Sequence, residues 1–163
     1  MNRTRTGLID RLETCSADYV WYISHLPEEE IHHLIAEGGW TIHQIAAHMR
    51  DAEREAFLKR TEQILVEEHP MVANYIPEDW DRDHYRREES LQDILSEFRS
   101  SRRKLLRLLR GARKKDWENW ATHPEYGKIS LDWILEHAFG HTMEHLAQIS
   151  HLQERTILRK LNG

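Results

Sequence analysis

The chain is poor in the residues that staple or punctuate small proteins. A single cysteine, Cys15, in 163 residues excludes an internal disulfide and fits a reducing compartment. Seven glycines and four prolines fall mostly between periodic segments, so the pattern predicts helices rather than strands. No apolar run approaches the roughly 20 residues that a membrane span needs. The opening "MNRTRTGLIDRLETC" lacks an apolar h-region, so no secretory signal is expected and the cytoplasm is the expected location. Positive charge is in deficit, with 23 Lys and Arg against 28 Asp and Glu and a net charge of −5, which argues against a nucleic-acid binder. One stretch runs the other way, "FRSSRRKLLRLLRGARKK" at 98–115. A basic amphipathic helix can meet membranes, acidic partners or RNA. The simpler expectation is a surface helix whose cations complement its own C-terminal dipole.

What the chain has in quantity is helical periodicity, over a length that suits one domain, 1–163, with a real core. Leu8, Leu12, Cys15, Tyr19, Tyr22 and Leu26 alternate spacings of four and three, a heptad seam closed by Pro27. Cys15 therefore reads as core rather than nucleophile. Thr41 and Gln44 fit a capping box, and Ile42, Ile45, Ala46, Met49, Ala52 and Ala56 carry a second apolar face to about residue 67. A third runs through Leu91, Ile94, Leu95, Phe98, Leu105 and Leu109, with Gly111 as a stop. Arg102 falls inside that seam, where it either snorkels or pairs with a buried acid. The fourth starts at Ser130, a candidate N-cap, and buries Leu131, Ile134, Leu135, Ala138, Ile149 and Leu152.

Four such helices predict an all-α four-helix bundle. The connection at 69–89, "HPMVANYIPEDWDRDHYRREE", is too long for a tight turn between antiparallel neighbours. A crossover along the bundle makes helices 2 and 3 parallel, an up-down-down-up arrangement.

Within the fourth helix, "HAFGHTMEH" places His137, His141 and His145 four residues apart. Residues so spaced lie about 6 Å apart on one side of a helix, and two of them can share one cation. A third ligand must come from another helix. His48 lies at the edge of the second apolar face, whereas His43 points elsewhere. Asp51 and Glu55 follow His48 on the same flank, placed to orient a ligand or to take a further coordination position. Gln148 lies one turn beyond His145. On spacing alone, a metal site and a merely polar helix face remain alternatives, since the chain has 12 histidines and chance pairs are common. The order His141-Thr142-Met143-Glu144-His145 also matches the H-x-x-E-H of a zinc peptidase. That reading is the weaker one: Glu144 falls on the solvent side, and only 18 residues follow His145.

The segments "GGWTIHQIAAHMRDAER" and "HPEYGKISLDWILEHAFGHTMEHLAQI" resemble the DinB-like superfamily of four-helix-bundle metalloproteins, in particular its YfiT-like members. The likeness covers essentially the whole chain, crossover included. It implies metal ligands at His48, His141 and His145 and a recurrent glutamine at Gln148. It gives His137 no ligand role and leaves it as a residue beside the pocket. It also implies enzymes that use small thiols as transferases, or that act as metal-dependent hydrolases, and pairing as homodimers.

Three neutral imidazoles leave a divalent ion open at one position or more. Such an ion acidifies bound water toward a pKa of about 7 and holds a thiol as thiolate. Zinc is the expected metal, with nickel or iron as alternatives, and a low-molecular-weight thiol is a candidate co-substrate. A small-molecule substrate is expected, with neither nucleic acid nor membrane as partner. Tyr75, Trp80 and Tyr85 of the crossover, with His123 and Tyr126 of "THPEYG", are candidate pocket walls, while Trp40 and Trp133 read as core. A metal-stabilised binding or stress-response module without catalysis is the competing class.

Overall fold

A computed structural model describes residues 3–33 and 39–162. Helix α1 (Arg3–Ser24) is followed by a short α2 (Glu28–His33). The second long rod is built of α3 (Ile42–Asp51), a π-helical segment (Ala52–Leu58) and α4 (Lys59–Val66). The crossover holds α5 (Pro77–His84); α6 (Leu91–Gly111) and α7 (Lys114–Glu118) follow. A hairpin of β1 (Trp120–His123) and β2 (Gly127–Ser130) then leads into α8 (Leu131–Asn162).

The helix ends form where the side chains allow. Thr41 accepts from the Gln44 amide at 3.2 Å while the Gln44 side chain accepts from the Thr41 amide at 3.0 Å, the reciprocal box that satisfies two orphan donors. Just before it, Gly39 at φ +89° takes the left-handed conformation that a side chain would strain. Ser90 accepts from the Asp93 amide and Ser130 from that of Trp133. At the far end of α4, the Asn119 amide donates to the carbonyls of Ile64 and Glu67, closing helix acceptors that would otherwise be bare.

Side-chain pairs fix the direction of the four long helices. Arg50 meets Glu89, Glu53 meets Arg102, and Glu62 meets Lys104, so the α3–α4 rod runs parallel to α6 as the long crossover requires. Tyr19 packs on Phe98 and Glu13 bonds Arg110, which sets α1 antiparallel to α6. Arg5 pairs with Asp132 while Ser16 and Thr142 share Arg102, so α1 and α8 are parallel. His48 faces His145 while Phe57 faces His137, so the rod and α8 are antiparallel. The bundle is up-down-down-up.

The apolar interior comes in two blocks. One contains Ile9, Leu12, Cys15, Phe57, Ile64, Leu105, Leu109, Ile134 and Ala138; the other contains Tyr19, Ile23, Ile42, Ile45, Met49, Ile94, Phe98, Ile149 and Leu152. Between them lies a polar layer. Arg102, 2% exposed, donates to both carboxylate oxygens of Glu53 at 2.8 and 2.6 Å, and Glu53 has no exposed surface. The same guanidinium reaches Ser16 at 2.7 Å and Thr142 at 3.3 Å, so one side chain touches all three other long helices. Of the two readings of Arg102, pairing with a buried acid is the one the structure adopts.

Three features depart from the pattern read in the sequence. A hairpin stands where only helices and a loop were expected. Ala121, His123 and Ile129 point inward from it, and Val72 and Thr122 tie it to the crossover through the Val72 amide on the Thr122 carbonyl. Strands this short, with no sustained alternation, leave little trace in composition. On α1, Ile9 and Ile23 are fully buried alongside the expected Leu12 and Tyr19, because the helix packs against two neighbours and needs a face wider than a seam. The third is the π-helical segment, whose Lys59 amide bonds the Arg54 carbonyl five residues back. The extra residue turns the face, so Ala52, Glu53, Ala56, Phe57 and Leu58 are all buried. Among the described residues, no helix is long and apolar enough to cross a membrane.

The crossover is pinned by His43, fully buried, whose Nε2 donates to the Glu89 carbonyl at 2.9 Å and whose Nδ1 accepts from the Tyr85 hydroxyl at 3.0 Å. Tyr85, expected at the pocket, is thus engaged with His43. Burial, first, holds the His43 pKa below its ordinary 6.5. The stability from neutral His43 is therefore complete above about pH 6.5 and lost as pH falls below it, because the unfolded chain takes up a proton that the folded chain resists. We predict a shallower loss of thermal midpoint between pH 6.5 and 5 in His43→Gln than in the parent. The polar layer gives a second test. Arg102→Met strands a buried carboxylate and should cost about 3–5 kcal/mol in urea unfolding, much of it recovered when Glu53→Leu is added.

Candidate metal centre

The antiparallel contact of α3 with α8 brings three imidazoles together. His48 Nε2 lies 3.0 Å from His141 Nε2, which lies 3.2 Å from His145 Nε2. The three donor atoms all fall within 4.8 Å of one another, the one such cluster among the described residues. Donors held at about 2.0–2.1 Å from a tetrahedral ion stand about 3.3 Å apart, close to the spacings found.

Proton placement favours a cation there. The Gln148 carbonyl oxygen lies 2.9 Å from His145 Nδ1 and can only accept, so Nδ1 carries the proton and Nε2 presents a bare lone pair. A single N–H on His141 could face one neighbour only, leaving lone pairs opposed elsewhere in the trio. Further protonation is resisted. Burial, and then His145, pushes the His48 pKa from 6.5 to about 3. His141 is held well below 6.5 by burial and then by His145, His48, His137 and Arg102. His145 is lowered by burial, partly offset by Gln148. A metal ion converts the opposed lone pairs into three attractive contacts, so the donor set fits a divalent cation with affinity for imidazole.

The surroundings are aromatic. The Trp40 ring lies 5.0 Å from His48, Tyr75 stacks on His48 at 6.2 Å, and Phe57 lies 5.6 Å from His141. Trp40 and Trp133, read as core in the sequence, are only partly buried, and both face histidines: Trp133 lies 4.5 Å from His137. His137 is exposed, 6.5 Å ring to ring from His141, and stands beside the trio. Trp80 packs behind Tyr75 at 5.7 Å, and Tyr126 lies between His123 and His137.

The structure does not bring Asp51 and Glu55 to the imidazoles. Asp51, 3% exposed, is bonded by Arg50 at 2.9 and 3.1 Å and by Arg54 at 3.2 Å. Glu55 is taken by Arg54 and Lys59. The cause is the arginine content of "MRDAERE", which neutralises both carboxylates on the rod itself. Glu144 is exposed. Thr142, between two of the clustered histidines, was not singled out in the sequence; it donates to the Ala138 carbonyl and accepts from Arg102. Its signal was a hydroxyl at a position where the apolar face called for a hydrocarbon.

Comparison with known proteins bears on the family and the fold. Residues 11–149 match the model of the DinB superfamily. A "putative metal-dependent hydrolase" of Oceanobacillus iheyensis is 28% identical over 130 residues, covering 80% of this chain and 74% of its own. Another protein so named, from Bacillus cereus, is 24% identical over 154 residues, 90% of this chain and 84% of its own. YfiT from Bacillus subtilis, described as "a probable metal-dependent hydrolase with an unusual four-helix bundle topology", superposes with a TM-score of 0.85 at 21% identity, over 96% of this chain and 90% of its own. TT2238, a four-helix bundle protein, gives 0.64 at 18% identity, over 90% of this chain and 98% of its own. A match over most of the chain, joined to the same bundle architecture, makes this protein a member of the DinB superfamily.

Proposed function

We propose that the protein is a metal-dependent enzyme in which His48, His141 and His145 hold a divalent ion and a small nucleophile, water or a low-molecular-weight thiol, is activated against a small-molecule electrophile. The convergence of three imidazole Nε2 atoms without a carboxylate among them carries the reading. The names of the relatives support metal dependence and hydrolysis. An ion with three protein ligands keeps a position open, where it lowers the pKa of a water or a thiol that it binds. Zinc suits this donor set best, with nickel or iron as competitors.

The chain's own residues then have separate tasks. Gln148 holds the His145 proton on Nδ1 and so presents its Nε2. Phe57, Trp40 and Tyr75 exclude water from around the trio. A closed structural site would want a fourth protein donor, and the arginines that occupy Asp51 and Glu55 speak against one. A homodimer and a cytoplasmic location are part of the same proposal.

Elemental analysis of untagged protein after metal loading should find about one divalent ion per chain, lost in each of His48→Ala, His141→Ala and His145→Ala. Parent protein that retains no metal would sink the reading. Gln148→Ala should weaken metal affinity about 10–100-fold, read by competition with a chromophoric chelator. Panels of esters, amides and electrophiles offered with small thiols should reveal an activity that chelation removes, and Glu144→Gln should leave that activity intact.

A further inference from the structure

Three hydrogen-bond donors that line one cavity have no acceptor among the described residues. A cavity of about 440 Å³ lies between α4 and the crossover, and Arg60, Tyr75 and Trp80 line it. Arg60 Nε, the Tyr75 hydroxyl and Trp80 Nε1 are all buried and unpaired among the described residues. Arg60 itself is only 6% exposed; its one hydrogen bond runs from a terminal nitrogen to the Ala73 carbonyl at 3.0 Å, and no carboxylate of the described residues pairs with it. A buried guanidinium without a counter-charge is costly, and a chain of net charge −5 has acids to spare. The acids of the cavity wall are already committed. Asp79 and Asp83 pair with Arg82, and Glu55 pairs with Arg54 and Lys59.

Tyr75 joins this cavity to the metal centre, because its ring stacks on His48. On β1, His123 is 1% exposed. The amides of Glu125 and Tyr126 donate to its Nδ1, so Nε2 carries a proton, and that atom too is buried without a partner. Burial, and then the Arg60 charge, lowers the His123 pKa, which puts the guanidinium within electrostatic reach of a neutral ring. With Lys59 and the acids of the wall held in ion pairs, Arg60 is the one charge of the lining left without a counter-charge among the described residues, beside several neutral donors. A monoanion balances it; a dianionic phosphate would leave a buried negative charge over.

We propose that Arg60, with Tyr75 and Trp80, binds a carboxylate of the small molecule that reacts at the three-histidine centre, so that the substrate or thiol is a carboxylic acid. This rests on the enzymatic reading above for the word substrate, but not for the carboxylate site itself. Arg60 is a specificity residue here: it selects the acid over its neutral analogue, since a charge-assisted hydrogen bond in a dry site outweighs a neutral one.

Two measurements test it apart from the metal. In cobalt-loaded protein, 3-mercaptopropionate and 2-mercaptoethanol are titrated against the thiolate-to-cobalt absorption. The acid is expected to bind about tenfold tighter or more, and Arg60→Met is expected to bring the ratio to about one. In protein as isolated, propionate is expected to shift the His123 imidazole resonances saturably while propionamide does not, which needs neither metal nor variant. Equal affinities of the two thiols, a preference that survives in folded Arg60→Met, or a His123 ring indifferent to propionate would each overturn the proposal. Protein that takes up no cobalt yet answers to propionate would fail the metal reading and leave the carboxylate site standing.

Discussion

Everything in this bundle is arranged around the ion pair of Arg102 and Glu53. A guanidinium and a carboxylate with almost no exposed surface are tolerable only when their remaining hydrogen-bonding capacity is met. Ser16 and Thr142 meet it, and in doing so they enrol the other two long helices. The pair therefore sets the axial register of all four rods. An apolar layer could have slid by a turn at small cost; a bidentate pair with two hydroxyl partners cannot.

That register decides where the histidines stand. Thr142 is fixed by Arg102 on one side and by the Ala138 carbonyl on the other, and its neighbour His141 is the middle member of the trio. On the opposite rod, the π-helical segment begins four residues after His48 and rotates the following face by one residue. Glu53 and Phe57, four residues apart, point inward together, the first to Arg102 and the second to the rings of His137 and His141. Segments of this kind recur at functional sites.

Much of this was legible in the sequence. The four apolar faces, the capping box at Thr41, the long crossover and its parallel consequence all follow from period and loop length. Helical spacing allows the pairing of His141 with His145, and His48 stands out by its position at the edge of an apolar face, but the choice of these three as ligands drew on the family resemblance. What the sequence hid has physical causes. Glu53 looks like one charge among many in "RDAERE" because the partner that lets it be buried, Arg102, lies 49 residues away in sequence. Asp51 and Glu55 look available because sequence order cannot say that Arg50 and Arg54 fold back onto them. Arg60 reads as an ordinary surface cation; only burial without a counter-charge sets it apart. The hairpin before α8 is too short for alternation to emerge, and a bridge from Met71 to Thr122 ties it to the crossover.

The contact between His48 and His141 spans 93 residues of chain. A chain with one cysteine has no covalent means of closing so long a loop. For an ion held by imidazoles so far apart in sequence, no comparable site exists once the helices separate, so the free energy of binding it is free energy of folding. On the proposed reading, the firmness of the bundle depends on the supply of metal around it, with the same residues serving as reaction centre and as reversible cross-link.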